Sequence, residues 1–244
     1  MSNPTRLAIN GANGRMGRVL QTLLGNDTRF ELAALVNASS DWAKAPKLDV
    51  VIDFSTPLGF DAALAHCEAR GVALVSGTTG LDAPRRKRFD AAAAKIAVLH
   101  AANFSLGIAV LTKLLREAAS ALPDWDLEII EAHHARKVDA PSGTALALGR
   151  AAAEARGQDF EHVAVLARQG HTGARPENAI GFASIRAGEI VGEHTALLAT
   201  RDERIELTHR AHDNTIFARG ALHAAAWLAG KPPCVYSLDD VIKG

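Results

Sequence analysis

Arg6-Leu-Ala-Ile-Asn10-Gly11-Ala-Asn-Gly14-Arg-Met-Gly17-Arg-Val-Leu20 decides the fold. A short apolar run runs straight into three glycines at spacing G-x-x-G-x-x-G, and an amphipathic run follows at once. Strand, glycine turn and helix in immediate succession make a seat for a pyrophosphate: glycine lets the ligand approach the backbone, and the helix N-terminus favours its charge. The dinucleotide fingerprint is G-x-G-x-x-G, and Asn13 stands here in place of its middle glycine. A purely structural turn is therefore the alternative reading.

The residues downstream repeat the strand-and-helix alternation. Residues 31–36, 49–54, 72–75 and 96–99 read as further strands, and 14–24, 58–70 and 83–94 as helices. Nearly continuous apolar strands separated by helices imply βαβ units on a parallel sheet, and right-handed crossovers make that sheet a doubly wound, Rossmann-like α/β domain. After residue 105 the pattern changes. A helix at 107–121, a strand at 126–131 and a helix near 143–156 precede strand-like runs at 162–168, 179–186, 190–200 and 203–210. These alternate apolar and polar residues, as a mixed sheet with one exposed face does. The expectation is a smaller α+β domain over 105–213. The Ala-rich helix at 214–229 returns the chain to the first domain, which spans 1–104 and 214–244.

Composition narrows the function. The 244 residues carry 27 Lys+Arg against 27 Asp+Glu, which excludes the basic footprint of a nucleic-acid binder. The longest uncharged stretch, 96–112, contains His100, Asn103 and Ser105, so no membrane span is expected. The N-terminal Met1-Ser-Asn-Pro-Thr-Arg6 has no apolar signal region, which points to a cytoplasmic protein. Cys67 and Cys234 form neither a disulfide framework nor a metal cluster. Most of the ten histidines fall in the second domain, where groups titrating near neutrality are concentrated.

Two more loops fall at strand C-termini, the ligand edge of a doubly wound sheet: Ser76-Gly-Thr-Thr-Gly80 and His100-Ala-Ala-Asn-Phe-Ser105. Small and hydroxyl residues there suit a nicotinamide and its ribose, or ordinary turns. The second strand ends Val36-Asn37-Ala-Ser-Ser40, without the acidic residue that holds the adenosine ribose of NAD. Arg15 can grip a 2′-phosphate or can be a solvated helix side chain, so the residues leave NAD and NADP both open.

The densest chemistry lies in Glu131-Ala-His-His-Ala-Arg-Lys-Val-Asp-Ala-Pro-Ser-Gly-Thr-Ala145. A strand delivers His133, His134, Arg136 and Lys137 just before a helix that Ser142 is placed to cap. The amides of Gly143 and Thr144, with the helix dipole, form an anion seat beside those cations, suited to a carboxylate or phosphate. A His and a Lys there can also donate protons. Alternatives are a solvated charged loop and a zinc site. For zinc, no cysteine or third ligand has suitable spacing.

That segment resembles the signature of bacterial 4-hydroxy-tetrahydrodipicolinate reductase, also called dihydrodipicolinate reductase. The resemblance continues through Gly11–Gly17, Gly77-Thr-Thr-Gly80, Ala102-Asn-Phe-Ser105, Arg168-Gln-Gly-His-Thr-Gly173 and Ile185-Arg-Ala-Gly-Glu-Ile-Val-Gly-Glu-His194, over nearly the whole chain. It implies reduction of 4-hydroxy-tetrahydrodipicolinate, a cyclic dicarboxylate, to tetrahydrodipicolinate with loss of water, in diaminopimelate and lysine synthesis. The hydride source would be NADH or NADPH. It implies His133 as acid/base, Lys137 as proton donor, His134 as a substrate contact, and the Gly143 and Thr144 backbone on a substrate carboxylate. It implies cofactor contacts at Gly11, Ala12, Asn13, Gly14, Arg15, Met16, Gly77, Thr78, Thr79, Ala101, Ala102, Asn103 and Phe104, and a homotetramer built by the second domain. The chain departs from the family pattern in lacking an acid after the second strand and in a short 37–49 loop. The expectation is use of both cofactors, or a lean to NADPH through Arg15. The rivals are another nicotinamide oxidoreductase of an amino or oxo acid, a non-enzymatic nucleotide sensor and a zinc hydrolase.

Overall fold

The structure is a computed structural model that describes residues 3–244; Met1 and Ser2, at the head of the segment read above for a signal, lie outside the described residues. The chain divides into two compact units, one formed by Met1–Leu106 with Thr215–Gly244 and the other by Gly107–Asn214.

The first unit contains β1 (Thr5–Asn10), α1 (Arg15–Leu24), β2 (Phe30–Val36), β3 (Val50–Asp53), α2 (Pro57–Arg70), β4 (Ala73–Ser76), α3 (Ala83–Ala92) and β5 (Ala97–His100). The second contains α4 (Leu106–Ala121, whose first residue belongs to the first unit), β6 (Asp126–His133), α5 (Gly143–Ala155), α6 (Phe160–Val163), β7 (Ala164–Val165), β8 (Ile180–Arg186), β9 (Gly192–Ala199) and β10 (Arg204–Ala211). The chain then adds α7 (Thr215–Leu228), β11 (Cys234–Tyr236) and α8 (Leu238–Lys243) to the first unit.

The six-stranded sheet runs β11-β5-β4-β3-β1-β2, and every pair in it is parallel. From β1 the chain steps outward to β2 and then crosses back to β3, so the order reverses between β1 and β3. That is the switch point at which doubly wound sheets take their ligands. Alternate residues of the strands feed opposite faces. Leu7, Ile9, Val50, Ile52, Val75 and Leu99 pack under α1 and α7, and Ala8, Val51, Leu74 and Val98 under α2 and α3. Both faces are covered, which is why these strands are apolar almost without interruption.

The five-stranded sheet runs β10-β9-β6-β8-β7 and is mixed. β6 is parallel to β8 but antiparallel to β9, and β10 is antiparallel to β9. Leu127, Ile129, Phe182 and Leu198 form one core with α4, α5 and Phe160. In β9 burial alternates residue by residue and in β10 most side chains are exposed, the two-faced pattern the sequence predicts.

Two readings need correction. Residues 162–168 are not one strand. The Asp159 carboxylate accepts from the amide of Glu161 at 3.1 Å and starts the one-turn helix α6, so only Ala164 and Val165 pair with β8. Past Leu228, β11 was not expected; Cys234, Val235 and Tyr236 extend the first sheet alongside β5. Among the described residues no helix is long and apolar enough to cross a membrane.

Candidate active site

At the switch point of the first sheet, the glycine turn is held by backbone contacts. The amides of Gly11 and Ala12 donate to the carbonyl of Val36 at 3.0 and 3.1 Å, tying the turn to the end of β2. Gly11 has φ of +82°, and a Cβ there would lie 2.4 Å from the carbonyl oxygen of Phe54. A Cβ on Gly17 would lie 2.3 Å from the carbonyl oxygen of Gly11. These two glycines close the turn on itself. Gly14 is different: it is exposed and caps α1 with no side-chain hydrogen bond, and the first turn holds no acidic residue. The helix N-terminus thus offers its amides and positive end to an anion, and the residues fit a dinucleotide pyrophosphate.

A buried carboxylate organises the neighbouring loops. Asp53, at the end of β3, is wholly buried. It accepts from Asn10 Nδ2 at 2.8 Å, Ser55 Oγ at 2.5 Å, Ser76 Oγ at 2.7 Å and Thr78 Oγ1 at 2.8 Å. The C-terminal ends of β1, β3 and β4 are therefore pinned to one side chain. Sequence reading gave Asp53 no role, although a charged residue ending an apolar strand was a visible signal. The same bonds turn the Thr78 side chain inward, and Phe104 is buried with its ring edge-on to Phe54 at 5.6 Å. The side chains of Thr78 and Phe104 are thus core supports, and the Thr78 carbonyl meets His100 Nε2 at 2.9 Å. Gly77 sits where a Cβ would strike the Phe54 ring. Thr79, Ala102, Asn13 and Arg15 are exposed, while Ala101, Asn103 and Met16 are half-buried and Ala12 is buried. Among the described residues no ion pair engages Arg15. Asn37 turns its Oδ1 back to Ser39, accepting from its amide at 3.1 Å and its hydroxyl at 2.7 Å.

In the second unit, β6 carries Glu131 and His133. Being two residues apart, they extend the buried face of Leu127 and Ile129. Pairing places His194 of β9 opposite Glu131 and Arg186 of β8 opposite His133. The Glu131 carboxylate accepts from Arg186 through Nη1 at 2.8 Å and Nη2 at 2.7 Å. It also meets His133 Nδ1 at 2.6 Å and accepts the Ser142 amide at 3.2 Å. Burial pushes this carboxyl up, but the hydrogen bonds of Arg186, Ser184 and His133 outweigh it and hold the group at about 2. Glu131 is ionised at neutral pH. Burial lowers His133; Glu131 opposes that shift, while Lys137 and Arg186 reinforce it.

Ser142 caps α5: its Oγ accepts from the amide of Ala145 at 3.1 Å and shares a 3.1 Å hydrogen bond with Nε2 of His194. Burial, then the neighbouring His133, push His194 down to about 4, so it is neutral at pH 7. The His133 and His194 rings meet edge-on at 5.2 Å. Lys137 Nζ donates to Asp139 Oδ1 at 2.7 Å, and the Asp139 carboxyl is lowered by Lys137 first and also by the Gly143 backbone. The Gly143 amide, expected to be open, thus already serves a carboxylate, alongside Lys137. A carboxylate arriving at this helix end would meet Asp139 there. Thr144 is half-buried at the same helix end, and His134 is half-buried with its Nδ1 enclosed. Arg136 is not part of the cluster, because Glu189 neutralises it through bonds of 2.6 and 2.7 Å. Sequence reading missed Glu131, Arg186 and His194 as members of this site. The first was legible from its spacing to His133; the others depend on strand register. Among the described residues no cluster of His, Cys, Asp and Glu is arranged to hold a metal ion.

Comparison with known proteins adds the lineage. Residues 5–104 match the family described as dihydrodipicolinate reductase, N-terminus, and residues 107–242 match dihydrodipicolinate reductase, C-terminus. The 4-hydroxy-tetrahydrodipicolinate reductase of Caulobacter vibrioides is 46% identical over 256 aligned residues, covering 99% of this chain and 98% of that protein. Among solved structures, a dipicolinate-bound dihydrodipicolinate reductase from Paenisporosarcina sp. TG-14 superposes with TM-score 0.79 at 23% identity, covering 97% of this chain and 99% of that one. The C. glutamicum DAP dehydrogenase in complex with DAP gives TM-score 0.55 at 16% identity, over 98% and 94% of the two chains, and shares the fold. With both halves matched and a close relative covered end to end, the chain belongs to the dihydrodipicolinate reductase family.

Proposed function

We propose that this enzyme reduces 4-hydroxy-tetrahydrodipicolinate to tetrahydrodipicolinate with loss of water, in diaminopimelate and lysine synthesis, using NADH or NADPH. The observation that carries the assignment of roles is the sharing of one buried carboxylate, Glu131, by His133 and the capped N-terminus of α5. It holds a proton-transfer group and an anion seat in one frame.

The first unit is the dinucleotide-binding domain. Gly11, Ala12, Asn13, Gly14, Arg15 and Met16 cradle the pyrophosphate at the start of α1. Gly77, Thr78 and Thr79, with Ala101, Ala102, Asn103 and Phe104, supply backbone around the nicotinamide end. When bound, the dihydronicotinamide supplies the hydride. The second unit binds the dicarboxylate and builds the oligomer. One substrate carboxylate takes the place of Asp139 beside Lys137 and the Gly143 backbone and extends to the Thr144 amide, and His134 contacts the substrate. Loss of water removes the hydroxyl, protonated as it leaves, together with a hydrogen of the adjacent ring carbon and forms a double bond conjugated to the imine; hydride addition to that system leaves an electron-rich enamine carbon that takes a proton. Lys137 and His133 are the donors at hand. Oxyanions of the substrate meet preorganised amides at the helix end rather than water.

Arg15, exposed and without an ion pair among the described residues, and the Asn37 side chain folded back on Ser39 favour acceptance of NADPH beside NADH. A homotetramer is supported by the face of the second sheet opposite its core, where Ile185 remains uncovered; light scattering of the purified enzyme reads that state. A cytoplasmic location follows from the pathway.

The test is to mix the purified enzyme with freshly made dihydrodipicolinate synthase product and follow NADH and NADPH absorbance separately. Oxidation of both, with NADPH at least equal to NADH in kcat/KM, is expected. No oxidation of either by folded protein that binds nucleotide would remove the assignment, and a strong NADH preference would remove the role given to Arg15.

A further inference from the structure

Glu131 touches neither of the groups assigned to proton donation except His133, and it meets that ring at Nδ1 rather than Nε2. An ionised carboxylate can only accept hydrogen bonds. The neutral His133 ring must then carry its proton on Nδ1, which leaves Nε2 as the nitrogen free to take or give a proton. The far side of the ring agrees: Nε2 lies beside Gly192, where even a Cβ would come within 3.1 Å. A side chain at position 192 would close that approach. The carboxylate in turn is fixed at both oxygens: Arg186 Nη1 donates to Oε2, the oxygen that meets His133, and Arg186 Nη2 and the Ser142 amide donate to Oε1.

We infer that Glu131 is a positioning residue: clamped by Arg186, it fixes the Nδ1–H tautomer and orientation of His133 so that Nε2 exchanges the proton, and it sets the α5 anion seat in register with that nitrogen. This deepens the roles proposed above and rests on His133 being the proton-transfer group. A carboxylate behind an imidazole acts in this way in hydrolytic triads, where it selects the tautomer without itself being protonated. Here a bidentate guanidinium also holds the carboxylate.

The charged and titratable groups facing His133 are Glu131 on its own strand, Arg186 on β8, His194 on β9, and Lys137 with Asp139 in the loop before α5. Of these, Glu131 is the one that stabilises the protonated ring at contact distance. Its removal lowers the titration of His133.

The first experiment is nitrogen-15 NMR of uniformly labelled wild-type enzyme, reading the His133 tautomer above its titration. Protonated Nδ1 is expected, and a dominant Nε2–H form overturns the inference. The second is Glu131→Gln, which keeps the shape and removes the charge. Its kcat is expected to fall about 10- to 100-fold, less than the roughly 10²–10⁴-fold carried by an acid–base group itself, because the charge behind the ring is lost and the ring remains. KM for NADH should be unchanged, and the His133 limb of the pH profile should move about one pH unit lower. A purely structural role would reduce the active fraction and leave that limb in place, which also overturns the inference. Should Glu131→Gln fail to fold, the wild-type tautomer still decides. His133→Ala separates the two layers. If it retains full kcat, the assignment of His133 itself fails; if it loses activity while Glu131→Gln does not, only the role of Glu131 falls.

Discussion

At the scale of single residues, Lys137 and His133 differ in how firmly they are placed. His133 is held by a buried carboxylate, whereas Lys137 reaches an exposed partner, Asp139. Lys137 belongs to the second unit, so its loss is expected to separate chemistry from nucleotide binding. Lys137→Ala is expected to lower kcat about 10²-fold or more and to leave the Kd of NADPH, measured by fluorescence titration, unchanged. Collapse of nucleotide affinity would show the role to be wrong. Much of this scale was legible in the sequence. The His-His-x-x-Lys segment and the Ser142 cap stand where the spacing put them, because strand and helix periods are local properties. The Arg186 and His194 contributions were not legible. They arrive through the pairing of β6 with strands about fifty and sixty residues downstream, and register across a mixed sheet is set by whole-face burial rather than by neighbours in sequence.

At the scale of elements, the glycine turn is the part that the sequence described well and explained only in part. All of its glycines were read as making room for a ligand. The geometry divides the labour: Gly11 and Gly17 make room for the turn itself, and Gly14 presents the exposed helix end. Gly17→Ala is therefore expected to cost stability, by about 1–3 kcal/mol, in addition to weakening NADPH binding. Gly14→Ala, whose Cβ would meet only the Gly11 carbonyl oxygen at 3.2 Å, is expected to act chiefly on binding. Urea unfolding with and without NADPH checks the pair; equal stability loss in both variants would contradict the division. The element readings that failed have the same origin. The 162–168 run has strand-like alternation, yet Asp159 caps a helical turn within it and Phe160 is drawn into the core of the second unit. β11 is short and has two of its three residues exposed, so no periodic pattern announces it. Its place is fixed by the free edge of β5, a property of the finished sheet.

At the scale of the whole molecule, the second unit carries the groups that make the fold sensitive to acid. His194 is held at about 4, and His133 and His209 are also lowered, each chiefly by burial, against a value of 6.5 for an exposed ring. Between those limits the unfolded chain binds more protons than the folded one, so stability rises with pH and falls as pH drops. Each such histidine contributes a slope of up to about 1.4 kcal/mol per pH unit within its own window. Glu131 extends the loss: its folded value of about 2 lies below the ordinary 4.5, so the stability it provides is complete above 4.5 and is lost as pH falls toward 2. Glu128, lowered by Arg168 and Arg175 against the opposing effect of burial, acts in the same direction. In the first unit the comparable groups are His66, lowered chiefly by burial, and Asp27 and Asp240, lowered by hydrogen bonds to Arg29 and Ser237 near the surface. Acid should therefore loosen residues 107–214 before the doubly wound sheet. Hydrogen exchange read peptide by peptide from pH 7 to pH 4 is expected to show protection falling first in β6, β8 and β9, beginning just below pH 6.5. His194→Asn should flatten the upper part of that slope, since it removes a buried ring that must stay neutral to stay folded. Were peptides from β1, β3 and β4 to open first, or were the His194 variant to keep the wild-type slope, burial of the site histidines would not be what sets the acid limit of this enzyme.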